Sequence, residues 1–425
     1  AKTSADGTIT GGSGTWGPGT NWTNASGNNA NGWSNGQFAV FGGQKGTVTV
    51  SGQRVFSGIQ FLADGYNLVG GTGDTLEAVN ATDGTLAALR VANSATASID
   101  AAIVGEGGIQ KLDGGTLILE GANTYSGGTL VSAGTLQGNT TSLQGSIVND
   151  ASLIFQQNVD GTFGGTLSGT GNAVKRGLGS LLFTGYNDFS GTFTVEGGVL
   201  QVGETAATTP VVASFARMAL FAAPVGDTLA ADITVNSGAA LTGTGTVNSV
   251  VNKGIVQPGA NGNLTVSGDF TNTSDGTLNI NLTPLPTSYL VVGGTATLAG
   301  NLNVFAAAPY NGDTTYTLLT ADGGITGKFD QDNTASLGVT SNLAFIDTRL
   351  VYGANDVSLS VARNGVAFAD VAVSDNQRGV AAALDSAAAP ASLRSAITSM
   401  DLASAQAAFD SLSGEIHAST ASVLL

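Results

Sequence analysis

The sequence predicts an all-β chain wound into a right-handed parallel β-helix, with a short α-helical segment at its C-terminal end. Three observations carry the prediction. Short apolar runs bounded by turn residues recur from about residue 7 to 365, with almost no helical periodicity between them. A block of 35 residues occurs twice. The polar complement is Thr, Ser, Asn and Gly rather than charge, since 63 of 425 residues are Gly and only 10% are charged.

The strand signal is clearest in residues 46–50 (GTVTV), 116–119 (TLIL), 194–195 (TV), 232–236 (DITVN) and 263–266 (NLTV). Each run is rich in Val, Ile, Leu and Thr and is flanked by Gly, Asn, Asp or Ser, which favour turns. Gly is about twice as common as in an average protein but follows no every-third spacing, so a collagen helix is excluded.

The repeat decides between all-β architectures. Residues 105–139 and 169–203 align without a gap at an offset of 64, with 13 of 35 positions identical. The pairs include Gly105/Gly169, Lys111/Lys175, Leu117/Leu181, Gly121/Gly185, Asn123/Asn187, Ser126/Ser190, Gly127/Gly191, Leu136/Leu200 and Gln137/Gln201, with Tyr125/Phe189 as an aromatic match. Propeller blades need about 40–50 residues and carry Trp-Asp or Gly-His signatures that are absent here. Stacked coils fit instead: inward Leu, Ile, Val and Phe build one long core, outward Thr keeps strand propensity while staying polar, and Gly or Asn takes the corners. The two blocks then read as corresponding coils about three coils apart. Low charge follows as well, because stacked strands set like residues opposite one another.

The charge balance, 14 Lys plus Arg against 30 Asp plus Glu, gives a net −16, which argues against nucleic acid or anionic lipid as a partner. With no Cys and the single His417, disulfides, thiolate zinc sites, multi-His metal sites and Cys catalysis are excluded, and no cofactor is implied. No run of 18 apolar residues suggests a membrane helix. The first residues lack a basic and an apolar stretch in series and read as a mature terminus or a trimmed one.

Few residues read as a site. Trp16, Trp22 and Trp33 are all the tryptophans of the chain, with Phe38 and Phe41 nearby. They suit either a stacking platform for sugars or a cap over the open end of the solenoid core, and the cap is favoured because terminal coils must be shielded. Residues 204–232 break the coil pattern, and Phe215, Met218 and Phe221 recur at near-helical spacing, as in a projecting loop or a helix packed on the solenoid. Asp64 with Asp74, or Asp322 with Asp330, could act on a glycan, but Asp is also a standard turn former. Residues 70–74 only brush a calcium-binding repeat signature. No catalytic set and no metal site is assigned. Towards the C-terminus, Ser374 and Gln377 have capping-box spacing ahead of an Ala-rich run, Pro390 divides the segment into two helices, and Phe409, Leu412 and Ile416 form an apolar stripe.

These residues resemble a family. The repeated block, best seen in GGTLILEGANTYSGGTLVSAGTLQG, resembles the passenger-associated repeat of bacterial autotransporters (type V secretion). Gly14-Thr-Trp16, Asn21-Trp22, Gly32-Trp33, Ala39-Val-Phe41, Val48-Thr-Val50, Gly58-Ile-Gln-Phe61 and Leu68-Val-Gly-Gly71 resemble the opening of such passengers. Pro258-Gly259, Tyr289-Leu-Val-Val292, Gly300-Asn-Leu-Asn-Val304 and Tyr316-Thr-Leu-Leu-Thr-Ala321 resemble a pertactin-like autochaperone region. Asn376-Gln377, Ala383-Leu384-Asp385 and Leu412-Ser-Gly-Glu-Ile-His-Ala418 resemble the helical linker that leads into an outer-membrane barrel.

The resemblance implies a cap with first coils at 1–75, passenger repeats at 76–255, an autochaperone-like β-helix at 256–365 and a linker at 366–425, with a translocator barrel as partner in the full-length protein. It further implies a place on the bacterial surface or in the medium after cleavage. The expected role is non-catalytic adhesion or self-association, with host or neighbouring-cell surface molecules, or another copy, as partners. A polysaccharide-degrading β-helix and a mechanical stalk presenting a loop are the alternatives.

Overall fold

A computed structural model of the chain describes residues 10–19, 22–23, 32–203, 227–259, 262–282, 288–306, 314–330, 344–386 and 388–413. They form two compact units, Ala1–Gly254 and Ile255–Leu425. Both are parallel β-helices in their strand pairing, and the second continues into helices.

In the first unit, one long parallel sheet runs in chain order through Gly14–Trp16, Thr47–Val50, Tyr66–Gly70, Thr96–Ile99, Thr116–Leu119, Thr135–Gly138, Ser152–Gln156, Asn172–Arg176, Thr192–Val195, Asp232–Val235 and Val250–Asn252. The plain coils take 17 to 20 residues, as the partners Thr135↔Ser152 and Ser152↔Asn172 show, and others carry longer excursions, as between Tyr66↔Ala97 and Thr192↔Asp232. A second parallel sheet holds Gln37–Phe41, Gln53–Phe61, Ala87–Val91, Ile109–Leu112, Thr129–Val131, Ile147–Asn149 and Leu167–Ser168. From Gly161–Phe163 onward a third sheet adds Ser180–Phe183, Gly198–Val202 and Ala239–Gly243. Strands 186–187, 228–229 and 246–247 take up the remaining side.

The alternation read from the sequence sets what each sheet buries. In Thr116–Leu119, Leu117 and Leu119 are buried while Thr116 and Ile118 face out. Because a parallel ladder keeps register, Leu117, Leu136, Leu153, Ala173 and Phe193 stack directly on one another inside. Burying a Leu or Phe at such a position is worth about 1.5–3 kcal/mol, so each coil stabilises its neighbours through this column. Phe155, Phe163, Phe183 and Phe193 pack edge-on or tilted at centroid spacings of 5.2–5.8 Å inside the unit. Alternation fails in Gly198–Val202 and Ala239–Gly243, where the outward Val199, Gln201, Ala240 and Thr242 are buried too.

The two repeat blocks do not occupy corresponding places in their coils. Lys111 pairs with Val131, and Val131 with Asn149, all on the second sheet. Three coils from Lys111 lead to Gly169, whereas Lys175 lies one strand further on, in Asn172–Arg176 of the long sheet. The offset of 64 is therefore three coils plus a corner. The repeat is a local motif that can be set on any side, because it carries its own strands and turns.

In the second unit, three parallel sets recur: Ile255–Pro258, Thr277–Leu282 and Asn301–Ala306; Leu264–Val266, Leu290–Val292 and Thr314–Ala321; Phe270–Asn272, Ala296–Leu298 and Ile325–Gly327. An antiparallel hairpin, Ile346–Tyr352 with Asp356–Arg363, joins the edge at Thr314–Ala321.

Among the described residues three α-helices follow, not two: α1 (Asp375–Asp385), α2 (Ala391–Thr398) and α3 (Leu402–Ser413). Ser374 accepts the Gln377 N–H at 3.1 Å, and the Gln377 side chain accepts the Val373 N–H at 2.8 Å, so the capping pair forms. The extra break comes at Asp401, whose carboxylate accepts the Ser404 N–H at 2.7 Å and starts a new helix. Of the expected stripe, Phe409 is buried with Ala405, Leu384, Phe368 and Phe345, Leu412 is turned out at 46% exposure, and Ile416 lies outside the described residues. The Arg363 guanidinium sits 4.4 Å over the Phe368 ring, which ties the hairpin to the helices. Among the described residues no helix is long and apolar enough to cross a membrane.

Candidate functional site

The structure brings the three tryptophans together at the first strand of the long sheet. Trp16 lies edge-to-face against Trp22 at 5.2 Å and against Trp33 at 4.7 Å, and Phe41 joins at 5.7 Å. Phe41 in turn stacks on Phe61 at 5.4 Å. Trp16 is fully buried, so its ring offers no face to solvent. Trp33 Nε1 donates to the Val55 carbonyl at 3.3 Å, while the indole N–H groups of Trp16 and Trp22 find no acceptor. Tyr66 donates to the Gly42 carbonyl and accepts the Gly12 N–H, and burial raises its pKa. A cavity of about 30 Å³ lies between Trp16, Trp22, Phe41, Tyr66 and the 11–15 backbone. Phe215, Met218 and Phe221 lie outside the described residues, as does His417.

The carboxylates serve the backbone. Asp64 accepts the Thr96 N–H at 2.8 Å, Asp74 accepts those of Gly52 and Gly71, and Asp330 accepts that of Gly300. Asp150, Asp160 and Asp269 do the same for Thr170, Ser180 and Thr295. In each of these bonds except Asp74 with Gly71, the partners are one coil apart or more, so Asp at a corner staples neighbouring coils. Asn123 and Asn187 do this from inside: each accepts an N–H twenty residues back, from Ile103 or Leu167, and donates to the following coil, to Ser142 or Thr228. Among the described residues no cluster of three or more His, Asp or Glu could hold a metal ion.

What remains as a surface is the outer side of the long sheet. One outward column runs Thr96, Thr116, Thr135, Ser152, Asn172 and Thr192 in register; beside it run Ser98, Ile118, Gln137, Ile154, Val174 and Thr194. Neither column has a charge over these six strands, a distance of about 24 Å at the usual strand spacing. Thr192 Oγ1 donates to Asn172 Oδ1 at 2.7 Å along the ladder. Charge is held to the sheet's margin, in pairs such as Arg176–Glu196 at 2.6 Å.

Residues 109–137 and 174–202 match the family described as passenger-associated-transport-repeat. A relative described as an extracellular serine protease of Serratia marcescens is 26% identical over 234 residues, 52% of this chain. Both findings support reading the chain as an autotransporter passenger domain. It spans about a fifth of the relative's length, 19%. The matched segments are the two blocks whose Lys, Asn and Gly positions recur, and in the passenger each recurrence has a job. Gly105 and Gly169 both take a left-handed φ, 103° and 98°. Gly127 and Gly191 lie so close to the backbone of residues 106–108 and of Gly171 that a Cβ would collide. Tyr125 and Phe189 are both buried. Sequence reasoning found the positions without their purpose; the corner spacing of Asn and Asp, one coil from an N–H, was the available signal.

Proposed function

We propose that the passenger acts outside the cell, on the surface or after release, as a non-catalytic adhesin or self-associating protein. The observation that carries this is the uncharged double column on the long sheet of a chain with net charge −16. Two such chains, or a chain and an anionic surface, repel wherever their charged margins meet, and the repulsion is least along this side. Its Thr, Ser, Asn and Gln side chains supply many weak hydrogen bonds in a flat array, and Ile118 and Val174 supply apolar area between them. The corner roles of Asp64, Asp74 and Asp330 support a structural use of the acidic residues rather than a glycan-cleaving one. The partners in this reading are host or neighbouring-cell surface molecules and other copies of the passenger, with a translocator barrel in the full-length protein.

The test places charge on the columns without touching the core. Thr116→Lys, Thr135→Lys and Thr194→Lys together should leave the circular dichroism spectrum and melting unchanged, and should abolish clumping of cells that display the passenger. Clumping and surface binding at the unsubstituted level would remove the adhesive reading of this sheet.

A further inference from the structure

Two lysines stand where a β-helix should hold apolar side chains. Lys111 and Lys175 are fully buried, and Lys175 stacks in register between Phe155 and Val195 of the core column. Each ammonium meets three backbone carbonyls. Lys111 Nζ donates to Leu112 and Asp113 at 2.8 Å and to Ala133 at 3.1 Å. Lys175 Nζ donates to Gly177 at 2.7 Å, Gly179 at 2.5 Å and Gly197 at 2.7 Å. In both, two acceptors lie within four residues after the lysine, and the third belongs to the next coil, 22 residues on. A charged ammonium has three protons, so the three acceptors match it fully.

The turns are shaped for the ammonium. Asp113 and Gly177 have φ of 61° and 82°, which swings the following carbonyls inward. Gly134 and Gly198, directly after the third acceptor, have φ of 66° and 65°, and a Cβ at either would intrude on the lysine Nζ and on two turn carbonyls. The two copies sit on different sheets of the first unit and share two acceptors, the carbonyl two residues on and the one 22 residues on. The geometry therefore travels with the motif and does not depend on the side of the helix. In the second unit Asn272 makes a smaller version, donating to Gly276 at 3.0 Å and to Ala299 of the next coil at 2.7 Å.

We propose that each passenger repeat carries a register lock, in which the buried lysine closes its own turn and captures one carbonyl of the adjoining coil as the two coils stack. A one-residue slip of the next strand would turn that carbonyl away and leave a charge buried with an empty acceptor position, which is strongly unfavourable. The lock thus acts during coil addition, selecting the correct register before the apolar column is complete.

The test is the folding kinetics of the full chain carrying Lys175→Met, which keeps the length and apolar stem but removes all three donors. The expected result is refolding slowed about tenfold, with unfolding changed less than about twofold, because the lock forms before the rate-limiting barrier. Pulsed hydrogen exchange should show protection of residues 192–202 delayed while residues 129–138, held by Lys111, keep their timing; Lys111→Met should reverse the pattern. Lys175→Gln, which keeps two donors, should fall between wild type and Met and carries the comparison should the Met variant refold too poorly to measure. An effect confined to the unfolding rate, or unchanged timing in both segments, would show that the lysines only decorate a finished structure.

Discussion

Trp16→Ala is the perturbation that separates an N-terminal cap from a ligand platform. Trp16 has no solvent exposure, and its ring borders Trp22, Trp33 and Phe41 at 4.7–5.7 Å, so truncation opens a cavity beneath three other aromatic rings. Replacing a buried Trp by Ala costs about 3–5 kcal/mol, a figure that already contains the aromatic pair contacts. Coils stabilise only their neighbours, so the loss should be local. Amide exchange of Gln37–Phe41 and Thr47–Val50 should then speed up by about two to three and a half powers of ten, at roughly 1.4 kcal/mol per decade, while Thr192–Val195 is unchanged. Trp16→Phe should cost far less. It keeps a ring in the cluster and removes an indole N–H that has no acceptor, a group whose burial costs about 1–3 kcal/mol. Hydrogen exchange read by mass spectrometry measures both. A Trp16→Ala chain that lost less than about 1 kcal/mol at these strands would refute the cap, and sugar binding that vanished with stability intact would put a platform in its place.

Two further outcomes are expected. Asn187→Ala strips the buried Leu167 N–H of its acceptor and the Thr228 carbonyl of a donor, and should destabilise the unit by about 1–3 kcal/mol in denaturant titration; Asn187→Asp should do more damage, since a carboxylate would face the Thr228 carbonyl. A loss below 0.5 kcal/mol (about the scatter of such titrations) for both would exclude the staple. Burial also pulls Lys111 and Lys175 down to about 8 from 10.5, opposed in part by Asp113 and Asp160 respectively. The unfolded chain then binds more protons than the folded one between those values, so stability should rise as pH climbs from about 8 to 10.5, with the cost of the buried charge fully present below 8. Chemical denaturation across this range should show the rise, and Lys111→Met with Lys175→Met should flatten it; a slope unchanged by both substitutions would assign it to other groups.

Much of the architecture was legible because a parallel coil repeats one local rule. Period-two alternation placed Leu117, Leu136 and Leu153 inside and their Thr neighbours outside, and Gly marked corners such as Gly105 and Gly169 where φ is left-handed. The capping pair Ser374/Gln377 was readable because its partners are three residues apart. The break at Asp401 carried the same kind of signal, a short acid ahead of an apolar run, but it competed with good helix formers on both sides. Leu412 turned out to solvent because the buried cluster around Phe345 and Phe368 takes Ala405 and Phe409 from this helix and not Leu412.

The sequence by itself determined the strands, the corners, the inward column and the repeat, since each depends on residues close along the chain. Only the tertiary structure decided how coils face one another: that 64 residues make three coils and a corner, that Lys111 and Lys175 enter the core to hold carbonyls of the next coil, and that Asp64 and Asp330 staple backbone rather than line a groove. Those contacts join residues about twenty apart or more, and a coil can take 17 residues or 20 with the same local pattern. Which carbonyl meets which ammonium is therefore set by stacking, where a strand's register is fixed by the coil it is laid against.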